Sequence, residues 1–218
     1  APVIDPSLGL FLDTSYRMAP ALCRYVSESF YGGELQPDEV TKSRFLIDSN
    51  GSWGGRALEG VSYVEVVHRG NTVSSPEEVD RIAGLIRELQ RLELSDNGAT
   101  RRITTEDILV VAPFNVQVNR LTNALPSGVR VGTVDRFQGQ EAPIVIVSMT
   151  SSDPDESPRG ADFVLDANRF NVAVSRAQVL ALVVASPLLG EPRMNSIAQL
   201  QRSNRLADVM RGGGEPHS

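Results

Sequence analysis

Long apolar runs alternate along this chain with amphipathic segments, without internal repeats, and turn-forming residues separate them. Several runs are apolar on both faces, which is typical of strands in a parallel sheet that helices cover on both sides. Strands are predicted at 8–13, 61–67, 108–112, 129–134, 144–149 and 179–184. The pattern therefore predicts an α/β fold built on a parallel sheet.

Helical segments lie between these runs, and the clearest of them begins after Ser75. Ser75 is a preferred N-cap residue, Pro76 suits the first helical position, and Glu77 and Glu78 favour the first turn. Apolar residues then recur at helical spacing, at Ile82, Leu85, Ile86 and Leu89. Further helices are predicted at about 20–31 and at 115–125. The glycine-rich segment at about 32–60 is interpreted as an irregular insertion or hairpin.

Polar clusters follow three of the predicted strands. "DTSYRM" follows the first strand, "PFNVQ" follows the strand at 108–112, and "DRFQGQE" follows the strand at 129–134. Ligands of open α/β sheets bind beyond the carboxyl ends of the strands. The three clusters therefore predict a binding site at that edge of the sheet.

Length and composition indicate a single soluble globular domain. With 218 residues and 41% hydrophobic content, the chain can bury one sizeable core, and we expect one domain over 1–210 followed by a disordered tail at 211–218. No apolar run approaches the ~20 residues that span a bilayer, so no membrane partner is expected. The single Cys23 excludes an internal disulfide, and with no signal-peptide pattern it favours a cytoplasmic location.

The formal net charge of −6 argues against a protein that holds nucleic acid through a broadly basic surface. A nucleic-acid contact is therefore expected to be local, formed by loop dipoles and a few arginine, asparagine and glutamine side chains. Taken one at a time, the polar segments also have ordinary explanations. The 135–141 segment suits a polar surface loop, the 168–178 segment a packed helix with solvated arginines, and Arg17 a surface ion pair.

Together, in this order and spacing, the segments resemble the second RecA-like domain of superfamily 1 helicases, in the Upf1-like branch. "TSYRMAPALCRYVSESFYGGEL" resembles the family's "QYRMHP…FY…L", and "VVAPFNVQV" resembles its "TPY..Q" turn. "VGTVDRFQGQEAPIVIVSM" resembles motif V, "VD.FQG.E", and "NRFNVAVSRAQ" resembles motif VI, "RRLNVALTRA". The resemblance covers roughly residues 8–190. Within this branch the segments look most similar to bacterial proteins that fuse a RecB-like nuclease to a C-terminal helicase.

The resemblance implies an ATP-facing group of residues. Arg176 matches the motif VI arginine finger, and Arg17 matches a second arginine that reaches the γ-phosphate. Tyr16 matches the aromatic residue that stacks on adenine, and Glu141 matches the carboxylate that accepts hydrogen bonds from the ribose. Gly139 is expected to let the backbone approach the nucleotide.

A second group is implied on the nucleic-acid side. Asp135 and Gln138 are expected to couple the ATP side of the loop to that side. The residues expected to contact the sugar–phosphate backbone are Pro113, Phe114, Asn115 and Thr133. Hydroxyl and backbone N–H groups can make such contacts without a positive surface.

No "GxxxxGK[ST]" motif and no Walker B pair occur in the chain. The resemblance therefore implies a RecA-like domain without its own Walker A, whose ATP site is completed by an N-terminal RecA-like domain of the same polypeptide. The Mg²⁺ ligands are expected in that domain, no metal site is expected here, and the isolated chain is expected to be inactive.

Two functional hypotheses follow. The first is the motor half of an ATP-dependent helicase or translocase on single-stranded DNA, or on RNA. The second is a non-hydrolysing interaction module that supports a fused nuclease. A self-contained nucleotide-dependent enzyme would need a glycine-rich phosphate loop after the first strand, and "LDTSYRM" contains no glycine.

Overall fold

The computed structural model describes residues 12–54, 58–153, 157, 159–190 and 209. The strands are β1 Thr14–Ser15, β2 Gln36–Pro37, β3 Phe45–Ile47, β4 Gly60–Glu65, β5 Glu93–Asp96, β6 Ala99–Arg102, β7 Ile108–Val111, β8 Arg130–Gly132, β9 Ala142–Ser148 and β10 Ala177–Ala185. The α-helices are α1 Pro20–Phe30, α2 Pro76–Leu89, α3 Asn115–Ala124, α4 Ala161–Val164 and α5 Ala167–Val174. Short 3₁₀ turns lie at Glu39–Ser43, Thr105–Asp107, Asp135–Phe137 and Pro187–Gly190. Most of the strand predicted at 8–13, and the tail predicted at 211–218, lie outside the described residues.

Five strands form one parallel sheet in the order β4-β10-β9-β7-β8. Every neighbouring pair in this sheet is parallel. The predicted α/β fold with a parallel sheet is therefore confirmed. Because all five strands run the same way, their first residues share one edge of the sheet and their last residues share the other. We call these the amino edge and the carboxyl edge.

Alternate residues of each central strand face opposite sides of the sheet, and each side has its own core. Leu109, Val145 and Ala181 pack with residues of α1 and α5 on one side. Ile108 and Ile144 pack with residues of α2 and α3 on the other side. Truncation of one such buried leucine or isoleucine to alanine typically costs ~2–5 kcal/mol, so helices on both faces are held firmly to the sheet.

Helix α2 begins as the sequence predicts. Ser75 adopts an extended conformation and its hydroxyl accepts a hydrogen bond from the N–H of Glu78 at 3.1 Å, with Pro76 at the first helical position. The predicted apolar stripe is fully buried, at Ile82, Leu85, Ile86 and Leu89. The N-terminal capping residues and the buried apolar stripe of α2 therefore both match the predicted helix.

The segment at 32–60 has more structure than an irregular insertion, and part of it belongs to a second sheet that the sequence analysis did not predict. Strand β3 pairs antiparallel with β5, and β5 pairs antiparallel with β6. Asn97 and Gly98 have φ values of 50° and 79°, which suit the tight turn between β5 and β6. Trp53 is 1% exposed and packs in the core on the α2 side, so the segment is anchored to the domain.

The prediction of a helix over 168–178 is wrong at its second half. Helix α5 starts after Asp166, whose carboxylate accepts a hydrogen bond from the N–H of Arg169 at 2.7 Å, and it ends at Val174. Strand β10 begins at Ala177, because the apolar run that follows pairs with strands on both of its sides. Arg176 therefore lies in the turn just before a central strand.

A buried polar cluster joins α2 to the carboxyl edge. Glu78 is fully buried and accepts hydrogen bonds from the Ser148 hydroxyl and, at 3.0 Å, from the N–H of Thr150. Thr150 has a φ of 69°, in the left-handed region that favours glycine. Nε2 of His68 lies 3.0 Å from Oε1 of Glu78, and its Nδ1 lies 2.7 Å from the Ser152 hydroxyl. The carboxyl group of Glu78 thus holds the turn after β9 in a strained conformation.

The remaining features of the fold concern the single cysteine and the lengths of the helices. The single Cys23 lies in α1, fully buried, and burial raises the pKa of its thiol. In the part of the chain that the structure describes, no helix has the length and apolar character needed to cross a bilayer.

Candidate functional site

The loop at 133–141 connects the two edges of the sheet. It leaves β8 at the carboxyl edge and enters β9 at the amino edge, with β7 between these two strands. Phe137, in the middle of the loop, is 3% exposed and packs in the same core as Leu109 and Val111 of β7. The expectation that all polar clusters lie beyond the carboxyl ends is therefore wrong. Strands β8 and β9 are parallel, so the loop between them must return to the amino edge, and Glu141 at its end lies there.

Arg17 and Glu141 form an ion pair at the amino edge. The Nε of Arg17 donates to a carboxylate oxygen of Glu141, and its Nη1 donates to the main-chain oxygen of Ser175 at 3.0 Å. The other oxygen of Glu141 accepts a hydrogen bond from Nε2 of Gln178 at 2.7 Å. Three segments far apart in sequence are thereby joined: the turn before α1, the end of the 133–141 loop and the start of β10.

Arg176 lies at the same edge and lacks a carboxylate partner among the described residues. Its Nη1 lies 3.5 Å from the main-chain oxygen of Gln140, and its buried Nε has no hydrogen-bond partner there. Burial, together with repulsion from the charge of Arg17, lowers the pKa of Arg176, although attraction to Glu141 opposes this. Two guanidinium groups thus share one carboxylate, and an added anion would relieve their repulsion.

Two more arginines support this cluster, and the sequence analysis missed both. Nη1 of Arg44 donates to the main-chain oxygen of Arg17 at 2.7 Å, and its Nε lies 3.4 Å from the carboxylate of Asp96 in the β5–β6 hairpin. Nη2 of Arg130 donates to the main-chain oxygen of Glu141 at 3.1 Å. No motif marks Arg44, because it lies in the segment interpreted as an insertion.

The remaining ATP-side and coupling residues are mostly exposed. Tyr16, which precedes Arg17 in sequence, is 70% exposed. Gly139 has a φ of 79°, and no atom lies within 4 Å of the position a Cβ would take, so the backbone is open to solvent there. Gln138 is exposed. The carboxylate of Asp135 lies 3.8 Å from the guanidinium of Arg169 in α5. This ion pair connects the 133–141 loop to the helix that precedes Arg176.

The residues expected to contact nucleic acid lie together at the carboxyl edge. Pro113, Asn115 and Thr133 line an open groove of about 400 Å³. Phe114 also lines this groove, but it is 7% exposed and its ring centroid lies 5.4 Å from that of Phe163. The Phe114 ring is therefore packed against Phe163 and little exposed to a ligand.

The pKa of Glu141 gives a direct test of the amino-edge contacts. Partial burial raises this pKa, but the hydrogen bonds from Arg17 and Gln178 and the charge of Arg17 outweigh burial, so it lies below the usual glutamate value. A depressed pKa means that the contact stabilises the fold above the unfolded value of about 4.3, and that this stabilisation is lost as the pH falls through the folded value.

We expect Arg17→Gln to raise the pKa of Glu141 towards its usual value, as measured by NMR titration of the side-chain carboxyl carbon. Lys42→Gln is the matched control, because Lys42 pairs with Glu39 on the surface and not with Glu141. An unchanged pKa in the Arg17 variant would show that the two side chains are not paired in solution.

Comparison with known proteins identifies the family of the chain. The sequence model of a family described as an AAA domain matches residues 6–187, which is most of the chain. The chain belongs to this AAA domain family. Curated proteins that resemble the chain include the 3'-5' exoribonuclease HELZ2 of Mus musculus, 28% identical over 203 residues, and the RNA helicase Mov10l1 of Mus musculus, 26% identical over 211 residues.

These matches cover 83% and 92% of this AAA domain chain but 7% and 18% of the two relatives, so the chain spans less than a fifth of either. Among solved structures, the C-terminal domain of a possible DNA helicase from Lactobacillus plantarum gives a TM-score of 0.43 at 15% identity. That match covers 85% of this chain and 96% of the other.

Proposed function

We propose that this AAA domain is the C-terminal motor domain of an ATP-dependent superfamily 1 helicase or translocase that acts on single-stranded nucleic acid. In this proposal its amino edge completes an ATP site whose Walker A and Walker B residues belong to an N-terminal RecA-like domain. The observation that carries the proposal is the partly buried guanidinium of Arg176, which lies beside Arg17 without a carboxylate partner of its own among the described residues.

The amino edge suits a polyphosphate. Arg17 and Arg176 carry permanent charges on planar groups that can donate in pairs to phosphate oxygens, and an anion between them offsets their repulsion. Arg176 acts as the arginine finger that stabilises the charge developing on the transferred phosphoryl group, and Arg17 assists it. ATP supplies the phosphoanhydride bond whose cleavage drives movement along the strand.

Glu141 keeps acceptor capacity for a ribose hydroxyl. An ionised carboxylate offers about four lone-pair sites, and Arg17 and Gln178 occupy two of them. Tyr16 is exposed beside Arg17, which leaves its ring free to stack on a base, and the open backbone at Gly139 allows close approach. No Mg²⁺ ligand is assigned to this domain, because the ligands are proposed to belong to the N-terminal RecA-like domain.

The loop at 133–141 is proposed to couple the two edges. Thr133, with Pro113, Phe114 and Asn115, contacts the sugar–phosphate backbone at the carboxyl edge. Asp135 and Gln138 transmit a change in that contact towards Glu141. The ion pair of Asp135 with Arg169 supports this role, because Arg169 belongs to the same motif as Arg176.

The nucleic-acid strand is proposed to be DNA if the polypeptide also carries a RecB-like nuclease, as the sequence resemblance implies. RNA is the alternative. One relative is named as a nuclease and another as an RNA helicase. A second candidate function is a non-hydrolysing module that supports a nuclease. The retention of Arg17, Glu141 and Arg176 as one connected cluster favours the motor.

The test is ATP hydrolysis by the native polypeptide that contains this chain, measured with and without single-stranded oligo-dT and oligo-rU. We expect hydrolysis that one of the two strands stimulates, and no hydrolysis by the 218-residue chain alone, because it has no Walker A motif. A native polypeptide that binds strands but does not hydrolyse ATP would favour the interaction module instead.

A further inference from the structure

Two arginines outside the amino edge share one aromatic ring. The guanidinium carbons of Arg159 and Arg169 each lie 4.6 Å from the ring centroid of Phe163. Arginine packs on aromatic faces through its planar group, which leaves the N–H groups at its rim free to donate. The ring therefore holds two cations near each other and limits their rotation without consuming their hydrogen bonds.

Both arginines line the open groove at the carboxyl edge. The cavity measures about 400 Å³, and its polar lining includes Asn115, Thr133, Asp135, Arg159 and Arg169. Phe163 lies behind this wall, in contact with the ring of Phe114. The aromatic pair thus lies beside the groove, and its Phe163 ring contacts both arginines.

The charge of the groove differs from that of the chain. Asp135 is the one carboxylate among its described lining residues, at 3.8 Å from the guanidinium of Arg169. Arg159 has no ion pair in the described part of the chain, although the chain as a whole carries a formal net charge of −6. Two cations held beside one exposed carboxylate form a local positive site, although the net charge of the chain is negative.

The hydrogen-bond donors of the groove match phosphate oxygens. Helix α3 opens onto it, and the first intrahelical bond of that helix is the one from the N–H of Val118 to the oxygen of Phe114 at 3.0 Å. The N–H groups of Asn115 and Val116 therefore have no partner within the helix. Asn115, Val116 and Thr133 line the same groove as the two arginines.

We propose that Arg159 and Arg169, held on the ring of Phe163, bind successive phosphates of the nucleic-acid strand in this groove. The inference rests on the proposed function, and it adds the charged contacts that the motif residues at this edge lack. It also assigns a role to Arg159, which no motif includes. Binding to phosphates is independent of base identity, so these contacts hold the strand in position without selecting its sequence.

The experiment measures the equilibrium binding of labelled oligo-dT and oligo-rU to the native polypeptide as a function of salt concentration. Each phosphate contact on a single strand contributes about 0.7 to the slope of log K against log salt. We expect Arg159→Gln and Arg169→Gln each to reduce the slope by about that amount and to raise Kd about tenfold. Arg159→Lys should keep the slope, because it keeps the charge.

Arg87→Gln is the matched control, since Arg87 is exposed on α2, away from the groove. If the wild type binds oligonucleotides and Arg159→Gln keeps the wild-type slope, the arginines only pack against Phe163. This inference then fails, while the proposed function stands. If the wild type binds neither strand, the proposed function fails with it. Because Arg159 lies outside the helices, its variants test the proposal even if Arg169→Gln disturbs α5.

Discussion

Replacing Arg176 with alanine should reduce the strand-stimulated rate of ATP hydrolysis by the native polypeptide about 10³-fold, which corresponds to ~4 kcal/mol of transition-state stabilisation. The reason is that the guanidinium of Arg176 is partly buried beside Arg17 and lacks a carboxylate partner among the described residues. A partly buried cation without an anion nearby is destabilised by its environment. It becomes stabilised when negative charge develops next to it. The effect should fall on kcat, with KM for ATP changed much less.

Arg120→Ala is the control for this experiment, because Arg120 is exposed on α3 and forms no ion pair with Glu141. Steady-state hydrolysis at saturating strand should be the same for the control and the wild type. Should Arg176→Ala hydrolyse ATP as fast as the wild type, the arginine would serve only to pack the turn before β10. The motor proposal would then lose its main support.

Replacing Glu78 with glutamine should lower the free energy of unfolding by about 3 kcal/mol. Glu78 is fully buried and accepts hydrogen bonds from the Ser148 hydroxyl and the Thr150 N–H. A glutamine of the same shape presents an amide NH₂ where one carboxylate oxygen now accepts, so a buried donor loses its partner. Losing a partner inside a buried polar network costs far more than losing one at the surface.

The neighbouring Glu77→Gln is the matched control, because Glu77 is exposed in the same turn of α2. Glu77 accepts hydrogen bonds from Nδ2 of Asn71 at 2.7 Å and from the Ser75 hydroxyl at 3.0 Å, and its charge lies near the helix N-terminus. Because the Glu77 side chain is exposed and glutamine keeps one acceptor oxygen, we expect the variant to cost less than ~1 kcal/mol. Urea unfolding gives both values, with an unchanged m value as the sign that the folded state stays compact. Equal losses in the two variants would contradict the role of Glu78 in holding the turn at Thr150.

Most of the parallel sheet could be predicted because its central strands are buried on both sides. The runs at 108–112, 144–149 and 179–184 are short, rich in valine and isoleucine and contain few polar residues, which favours buried strands over helices, and capping at Ser75 fixes the start of α2. The small antiparallel sheet gave no such signal. All four residues of β6 are exposed, so its sequence lacks the alternation that marks a half-buried strand.

The site was predictable in part, and for a different reason. Arg17 and Glu141 are separated by 124 positions, and no periodicity relates them; only the resemblance to a helicase domain grouped them. The amino edge as the position of Glu141 follows from a parallel sheet, but the contact of Arg17 with it depends on tertiary packing. Arg44 and Arg159 were missed because their contacts are formed by tertiary packing, with the hairpin at Asp96 and with the ring of Phe163.

The buried Cys23 has a practical consequence for spectroscopy. A thiol reacts with maleimide dyes as the thiolate, and both burial and a raised pKa suppress that form. The native thiol of this chain should therefore stay unlabelled while a cysteine introduced at an exposed position reacts. A dye attached at position 87, which is exposed on α2, and a second dye on the proposed N-terminal domain would test by energy transfer whether the two domains close when ATP binds.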